Sequence, residues 1–279
     1  MAGWLCCLTV MAVAGREATR ELHVFQVTML RSVIGLLMIY PLLRAAGGLG
    51  GIRTSRPWLQ IARNVVHYGA QFSWFMALTM IPLAQVISIE FTMPIWTAIL
   101  AVTFLGERMG LWKNIAVVTG LVGVAIIVRP FSGSANVGQL AVLAAAVGYA
   151  VSVIMVKALT RTESTITILF WMMVIQSGLG LVPGLLVWRW PSPSVWAWLL
   201  VIGFVGAYSH YCMTRALRYA DATTVVPMDF LRVPLAALVG WLVYAERVDV
   251  FTVLGAALIL AANLLNLKGP APRKPRKPA

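Results

Sequence analysis

The sequence predicts an all-α membrane protein of ten transmembrane helices, arranged as two inverted five-helix repeats around a central cavity. Three observations carry that expectation. The 279 residues are 60% hydrophobic and only 11% charged, with a mean hydropathy of +0.86, whereas a soluble domain has about 25% charged residues. Long stretches without charge recur along the chain. The two halves also resemble each other at an offset of 139 positions.

A soluble chain this size needs more polar surface, because folding cannot bury every apolar side chain. The solvent implied for most of it is lipid. Residues 64–89, 131–156, 164–188, 190–214 and 250–267 contain no Asp, Glu, Lys or Arg. A spanning helix needs roughly 20 mostly apolar residues, and within lipid its backbone must bond internally. A membrane β-barrel would show alternation in segments of about ten residues, and residues 140–156 and 253–265 show none.

The expected spans are 3–22, 23–44, 58–80, 83–105, 111–129, 136–158, 165–188, 194–218, 222–244 and 249–267. Short links such as Ile81-Pro82 make neighbouring helices antiparallel. The apolar stretch Met1 to Ala14 ends in Ala12-Val13-Ala14, which resembles a leader cleavage site. No Lys or Arg precedes its apolar part, so it reads as a short transmembrane helix rather than a secretory signal. Gly120, Gly123, Gly178, Gly180, Gly203 and Gly206 read as small faces for close helix approach, with hinge points as the alternative. Cys6, Cys7 and Cys212 form no disulfide framework.

The net charge of +13 does not indicate a nucleic-acid partner. Five positives crowd residues 268–279 between prolines, which reads as a basic, disordered cytoplasmic tail beside anionic headgroups. With ten spans both termini share one side. Placing them in the cytoplasm puts fourteen Lys and Arg inside and five outside, as the positive-inside rule requires. The expected location is the inner or plasma membrane, with the lipid bilayer as partner.

Ala77-Leu78 is followed thirty residues later by Glu107-Arg108, and Ala216-Leu217 thirty residues later by Glu246-Arg247. At the same offset Val86 matches Val225, Phe91 matches Phe230, and Glu90 falls on Asp229. The expected units are residues 1–130 and 131–267. Each has five spans, an odd number, so the second is inverted, an arrangement that places a binding site near the midplane. Ile81-Pro82-Leu83-Ala84, with Phe104-Leu105-Gly106-Glu107-Arg108 after the apolar helix, resembles the drug/metabolite transporter superfamily in its EamA-like branch. Tyr244-Ala245-Glu246-Arg247 is similar to the second copy, with Ala245 where the family prefers Gly. The resemblance implies ten helices and a cavity walled by the third, fourth, eighth and ninth. Members of the branch export amino acids and related metabolites, and others import cofactors such as riboflavin or S-adenosylmethionine.

Ionisable residues at membrane depth are costly and face a cavity or a partner. Arg63, His67 and Gln71 fall at i, i+4 and i+8 of the third span, with Trp74 at i+11, all on one face. They read as a polar stripe lining the cavity, with Trp74 as a stacking surface; a hydrogen-bonded seam between helices is the alternative. Arg63 is expected to snorkel to the cytoplasmic edge. The eighth span sets Tyr208, Tyr211 and Arg215 on one face, with His210 and Thr214 beside them. Tyr211 reads either as a substrate contact or as packing. Glu90 lies near the middle of the fourth span, Asp229 and Arg232 near the middle of the ninth, and Arg31 midway along the second. Prolines nearby predict kinks. These four charges sum to zero, which suits a zwitterion. Proton coupling through Glu90 or Asp229 is a second reading, and static pairs Asp229–Arg232 and Arg31–Glu90 a third. No local ligand motif predicts a metal, and nothing predicts a cofactor.

No G-x-x-x-x-G-K-[ST] loop marks an ATP motor. Ser209-His210 lacks a G-x-S-x-G context, so no enzyme is expected. The expected function is a secondary carrier for a small polar metabolite, an amino acid or related compound including aromatic ones, in the export direction and with protons as a candidate coupling ion. The alternatives are an uptake carrier for a flat cofactor, or a membrane enzyme or assembly protein.

Overall fold

Several polar side chains are fully buried in this molecule, while many large apolar ones lie on its surface. Gln26, Gln60, Asn64 and Gln176 are fully buried, while Leu37, Phe104, Leu111, Val182 and Leu264 are exposed. Apolar surface on that scale needs lipid to cover it. The computed structural model describes residues 2–45, 48, 52–81, 86, 89–107, 109–128, 137–231 and 250–267.

All regular structure among these residues is helical: α1 (Ala2–Thr19), α2 (Val24–Ala45), α3 (Pro57–Met80), α4 (Met93–Leu105), α5 (Leu111–Val128), α6 (Val137–Leu159), α7 (Thr165–Leu186), α8 (Pro193–Tyr219), α9 (Ala222–Val225) and α10 (Val250–Leu267). Val24–Pro41, α6, α7 and α8 are long and apolar enough to cross a membrane, and α4 and parts of α5 and α10 are shorter apolar helices. In α3 the polar residues Gln60, Arg63, Asn64, His67 and Gln71 are all among its buried ones, so the helix turns that side away from lipid.

The fourth and ninth spans depart from continuous helices. α4 begins only at Met93, after a turn at Phe91–Thr92 in which Thr92 N–H donates to Ile89 O at 3.0 Å. The kink expected there is a full break. Pro94 has no N–H to give, and its ring would meet the Glu90 carbonyl if the helix ran through. The ninth span starts as the single-turn α9 and passes into a 3-10 segment, Val226–Leu231, that carries Asp229. Arg232 and the rest of that span lie outside the described residues, as do Arg108, the Glu246-Arg247 pair and the tail 268–279.

Helix packing pairs α3 with α6, α1 with α8, α2 with α7, and α5 with α10. Exchanging the first five helices for the last five turns α3–α6 into α8–α1 and leaves the other two pairs unchanged. Gly148 lets α6 approach α3 closely: a Cβ there would stand 2.8 Å from Ala70 Cβ.

Polar contacts tie the helix ends together. Between α1 and α2, Glu21 accepts from Ser192 N–H (2.6 Å) and Ser192 Oγ (2.7 Å) ahead of α8. At the other end of α2, Glu163 accepts from Ser55 N–H (2.8 Å), Ser55 Oγ (2.9 Å) and Thr54 Oγ1 (3.0 Å) ahead of α3. Glu107 caps α9, accepting from the N–H groups of Ala222 and Thr223, both at 3.0 Å. Lys157 Nζ donates to the Leu217 (2.8 Å) and Ala220 (2.6 Å) carbonyls at the end of α8.

Candidate functional site

The helix that carries the most buried polar residues also forms one wall of a central cavity. Arg63, His67, Gln71 and Trp74 of α3 all line it, as the i, i+4, i+8, i+11 spacing requires of residues on one face. The cavity encloses about 800 Å³ of space, its open mouth included. Facing α3 are Tyr149 and Ser152 of α6 and Ser209, His210 and Thr214 of α8, with Trp4 of α1 and Arg31 of α2 beside them.

The two acids matched by the repeat, Glu90 and Asp229, both line this cavity and both sit at the breaks of their spans. Each accepts an indole N–H. Trp74 Nε1 donates to Glu90 Oε2 at 2.7 Å, and Trp4 Nε1 donates to Asp229 Oδ1 at 2.9 Å. A bond to a buried carboxylate from a rigid ring fixes the acid's position and supplies part of what it lost on leaving water.

At the other side of the stripe stand two arginines. Arg31 donates to Gln71 Oε1 and, at 3.5 Å, to Gln176 Oε1. Arg63 donates to Asn64 Oδ1 at 2.7 Å, and Gln176 Nε2 reaches the same oxygen at 3.5 Å. Arg63 does not snorkel to an edge: it is 2% exposed and points into the cavity. With amide acceptors and the hollow at hand, it has no need of the interface. The partners of Arg31 are these amides, in place of the Arg31–Glu90 pair considered from sequence.

Between the two ends lie the histidines. The rings of His67 and His210 meet edge to face with centroids 4.8 Å apart, and His210 lies 6.1 Å from Trp4. His67 Nδ1 is 3.3 Å from Ser152 Oγ. Tyr211 and Arg215 are not brought to the cavity. Tyr211 packs beside Ile39, Leu169 and Met172, and its hydroxyl accepts from exposed Arg215 at 2.9 Å. His210, Met213 and Thr214 occupy the cavity face of α8, which turns its Tyr211 side elsewhere. Ser209 Oγ donates to Gly206 O of its own helix. Among the described residues no group of three or more His, Cys, Asp or Glu is placed to hold a metal.

Sequence reasoning missed Trp4, Asn64, Tyr149, Ser152 and Gln176. Asn64 and Gln176 carried a signal, since a lone amide within an apolar span needs an internal partner. Trp4 carried none, because its partner is 225 positions away.

A polytopic helical bundle with a charged cavity at its centre has the architecture that a membrane transport protein uses. The chain belongs to the EamA-like transporter family, which matches residues 4–129 and again 136–268. It is 34% identical over 236 residues to a riboflavin transporter of Rhizobium johnstonii, covering 83% of this chain and 77% of that one. It is 27% identical to an S-adenosylmethionine uptake transporter of Rickettsia felis (94% and 90% covered), and 30% identical to the pseudopaline exporter of Pseudomonas aeruginosa (91% and 89%). A solved crystal structure shares the fold, with a TM-score of 0.78 and 19% identity over 94% of each chain. The relatives are named as transporters rather than enzymes, and this chain is a multi-pass membrane transporter.

Proposed function

We propose that the chain is a secondary carrier for a small polar metabolite that bears both charge signs, an amino acid or a related compound, exported across the inner or plasma membrane. One observation carries this: Glu90 and Asp229, matched in the repeat, share a cavity with Arg31 and Arg63. A zwitterion offers its ammonium to an acid and its carboxylate to a guanidinium. Residues 1–130 and 131–267 are the two halves, inverted with respect to each other, and alternating access is their rocking about the cavity. The exchange relation among helix pairs and the two separate family matches support that division. Both termini lie in the cytoplasm, on the side of Arg53, Arg56, Lys157 and Arg161. Glu90 or Asp229 also takes up and releases the coupling proton.

A flat cofactor carried inwards is the second reading. The rings of Trp4, His210, His67 and Tyr149, which follow one another along the cavity, favour it, as do the names of the riboflavin and S-adenosylmethionine relatives.

Counterflow in proteoliposomes, across amino acids and flat cofactors at two pH values, tests both. Saturable counterflow of an amino acid, with its pH dependence lost in Glu90→Gln or Asp229→Asn, is expected. Flavin counterflow alone would select the second reading, and no counterflow of any solute would remove the carrier assignment.

A further inference from the structure

Arg31 and Arg63 are 3% and 2% exposed. Two guanidiniums this deep in a membrane protein normally meet carboxylates, because an unpaired buried charge is expensive. Here their partners are neutral. Arg31 donates to Gln71 and Gln176, Arg63 donates to Asn64, and Gln176 bridges back to Asn64. The two cations are thus tied into one amide-linked cluster drawn from α2, α3 and α7. Arg63 Nε is buried and has no hydrogen-bond partner, and Gln71 Nε2 is in the same state. Buried polar groups are almost always satisfied. Two donors without acceptors, beside two positive charges and an open cavity, describe a receptor for an anion.

Glu90 is held further along α3 than Arg63. Trp74, which holds Glu90, is eleven residues beyond Arg63 on α3, about 16 Å along the helix axis. Arg63 and the indole that holds Glu90 are thus about three turns apart on α3.

We propose that Arg31, Arg63 and Gln71, held in place by Gln176 and Asn64, form the subsite for an anionic group of the transported solute, a carboxylate or a phosphate monoester. This rests on the carrier reading above and names the chemistry that reading requires. The guanidinium fork matches both oxyanions, and a Lys would not reproduce its geometry. A neutral flat molecule without an anion would leave the cluster unpaired.

The test uses the purified full-length protein in detergent. Thermal unfolding is followed while inorganic phosphate replaces chloride at constant ionic strength. Wild type is expected to gain a saturable rise of about 3–6 °C. Arg31→Gln and Arg63→Gln should show only the small, unsaturable rise that phosphate gives any protein. An equal rise in wild type and variants overturns the proposal, and so does no saturable rise in wild type. A rise with phosphatidylglycerol but not with free phosphate also overturns it, by assigning the cluster to a lipid headgroup. If the arginine variants do not fold, Ser152→Cys in a background lacking Cys6, Cys7 and Cys212 replaces them. An anionic thiosulfonate should label it at least tenfold faster than a cationic one, and phosphate should slow it; equal rates overturn the proposal. These readouts are independent of flux, so failure of counterflow tells against the carrier reading alone.

Discussion

Glu21, on the turn between α1 and α2, accepts two hydrogen bonds from Ser192, the residue that caps the N-terminus of α8. Its counterpart is Glu163, between α6 and α7, which accepts from Ser55 two residues before α3 begins. α3 and α8 supply facing walls of the cavity. Each half of the molecule therefore grips the first turn of the cavity helix contributed by the other, and the grips lie at opposite ends of α2.

The Glu21 grip makes stability depend on pH. Hydrogen bonds from the Ser192 hydroxyl and then from its backbone N–H, with Arg189 nearby, hold the Glu21 carboxyl below its ordinary value. A carboxyl lowered on folding contributes stability above its ordinary range and loses it as pH falls through the lowered value. The unfolding midpoint of wild type should therefore drop as pH is taken below about 4, and Glu21→Gln should flatten part of that drop. Parallel midpoint curves for the two proteins would deny the grip any energetic role.

Glu107 satisfies two N–H groups at the start of α9, where no helical carbonyl is available. Glu107→Ala should cost about 1 kcal/mol, within the usual range for lost caps, and Glu107→Gln less. Chemical denaturation of the three proteins would measure it; an alanine variant as stable as wild type would show that water replaces the carboxylate freely.

Trp74→Phe keeps the aromatic surface and removes the indole N–H that donates to Glu90. The expected loss is about 1.5–3 kcal/mol, as for other hydrogen bonds to charged groups. Combining it with Glu90→Gln in a double-mutant cycle should give a coupling above about 0.5 kcal/mol. Strict additivity would mean that the indole merely packs.

Gly206 stands where Arg31 lies against α8. A Cβ at that position would be 2.8 Å from Arg31 Nε and 3.1 Å from Nη2. Gly206→Ala should therefore push Arg31 off Gln71 and Gln176 and weaken substrate counterflow, with a stability change of about 1–3 kcal/mol. Gly178→Ala, on a glycine with open space around it, should leave counterflow unchanged. Equal effects from both would trace the loss to helix flexibility.

The stripe on α3 was legible because helical spacing is local: residues 63, 67, 71 and 74 share a face whatever the rest of the chain does. Glu90 and Asp229 were legible for a related reason, since each is a lone acid in an apolar span and lipid leaves it nowhere else to go. Tyr211 was not, because two adjacent residues of α8 compete for the cavity and only the helix's rotation about its axis chooses His210. Arg63 was legible as a charge at depth but not in its direction. The choice between snorkelling and pointing inwards depends on the cavity that the other helices leave beside α3, with Asn64 as the acceptor.

By itself the sequence determined that this chain is helical and immersed in lipid, and which few residues could not rest in hydrocarbon. Those are properties of composition and of spacing within one turn or two. Tertiary structure alone decided that Trp4 holds Asp229, that Trp74 holds Glu90, and that Arg31 is met by Gln71 and Gln176. Such pairings join residues on different helices. The lipid sets a cost for every buried polar group, but only the packing of α1, α2, α3 and α7 sets which partner stands within reach.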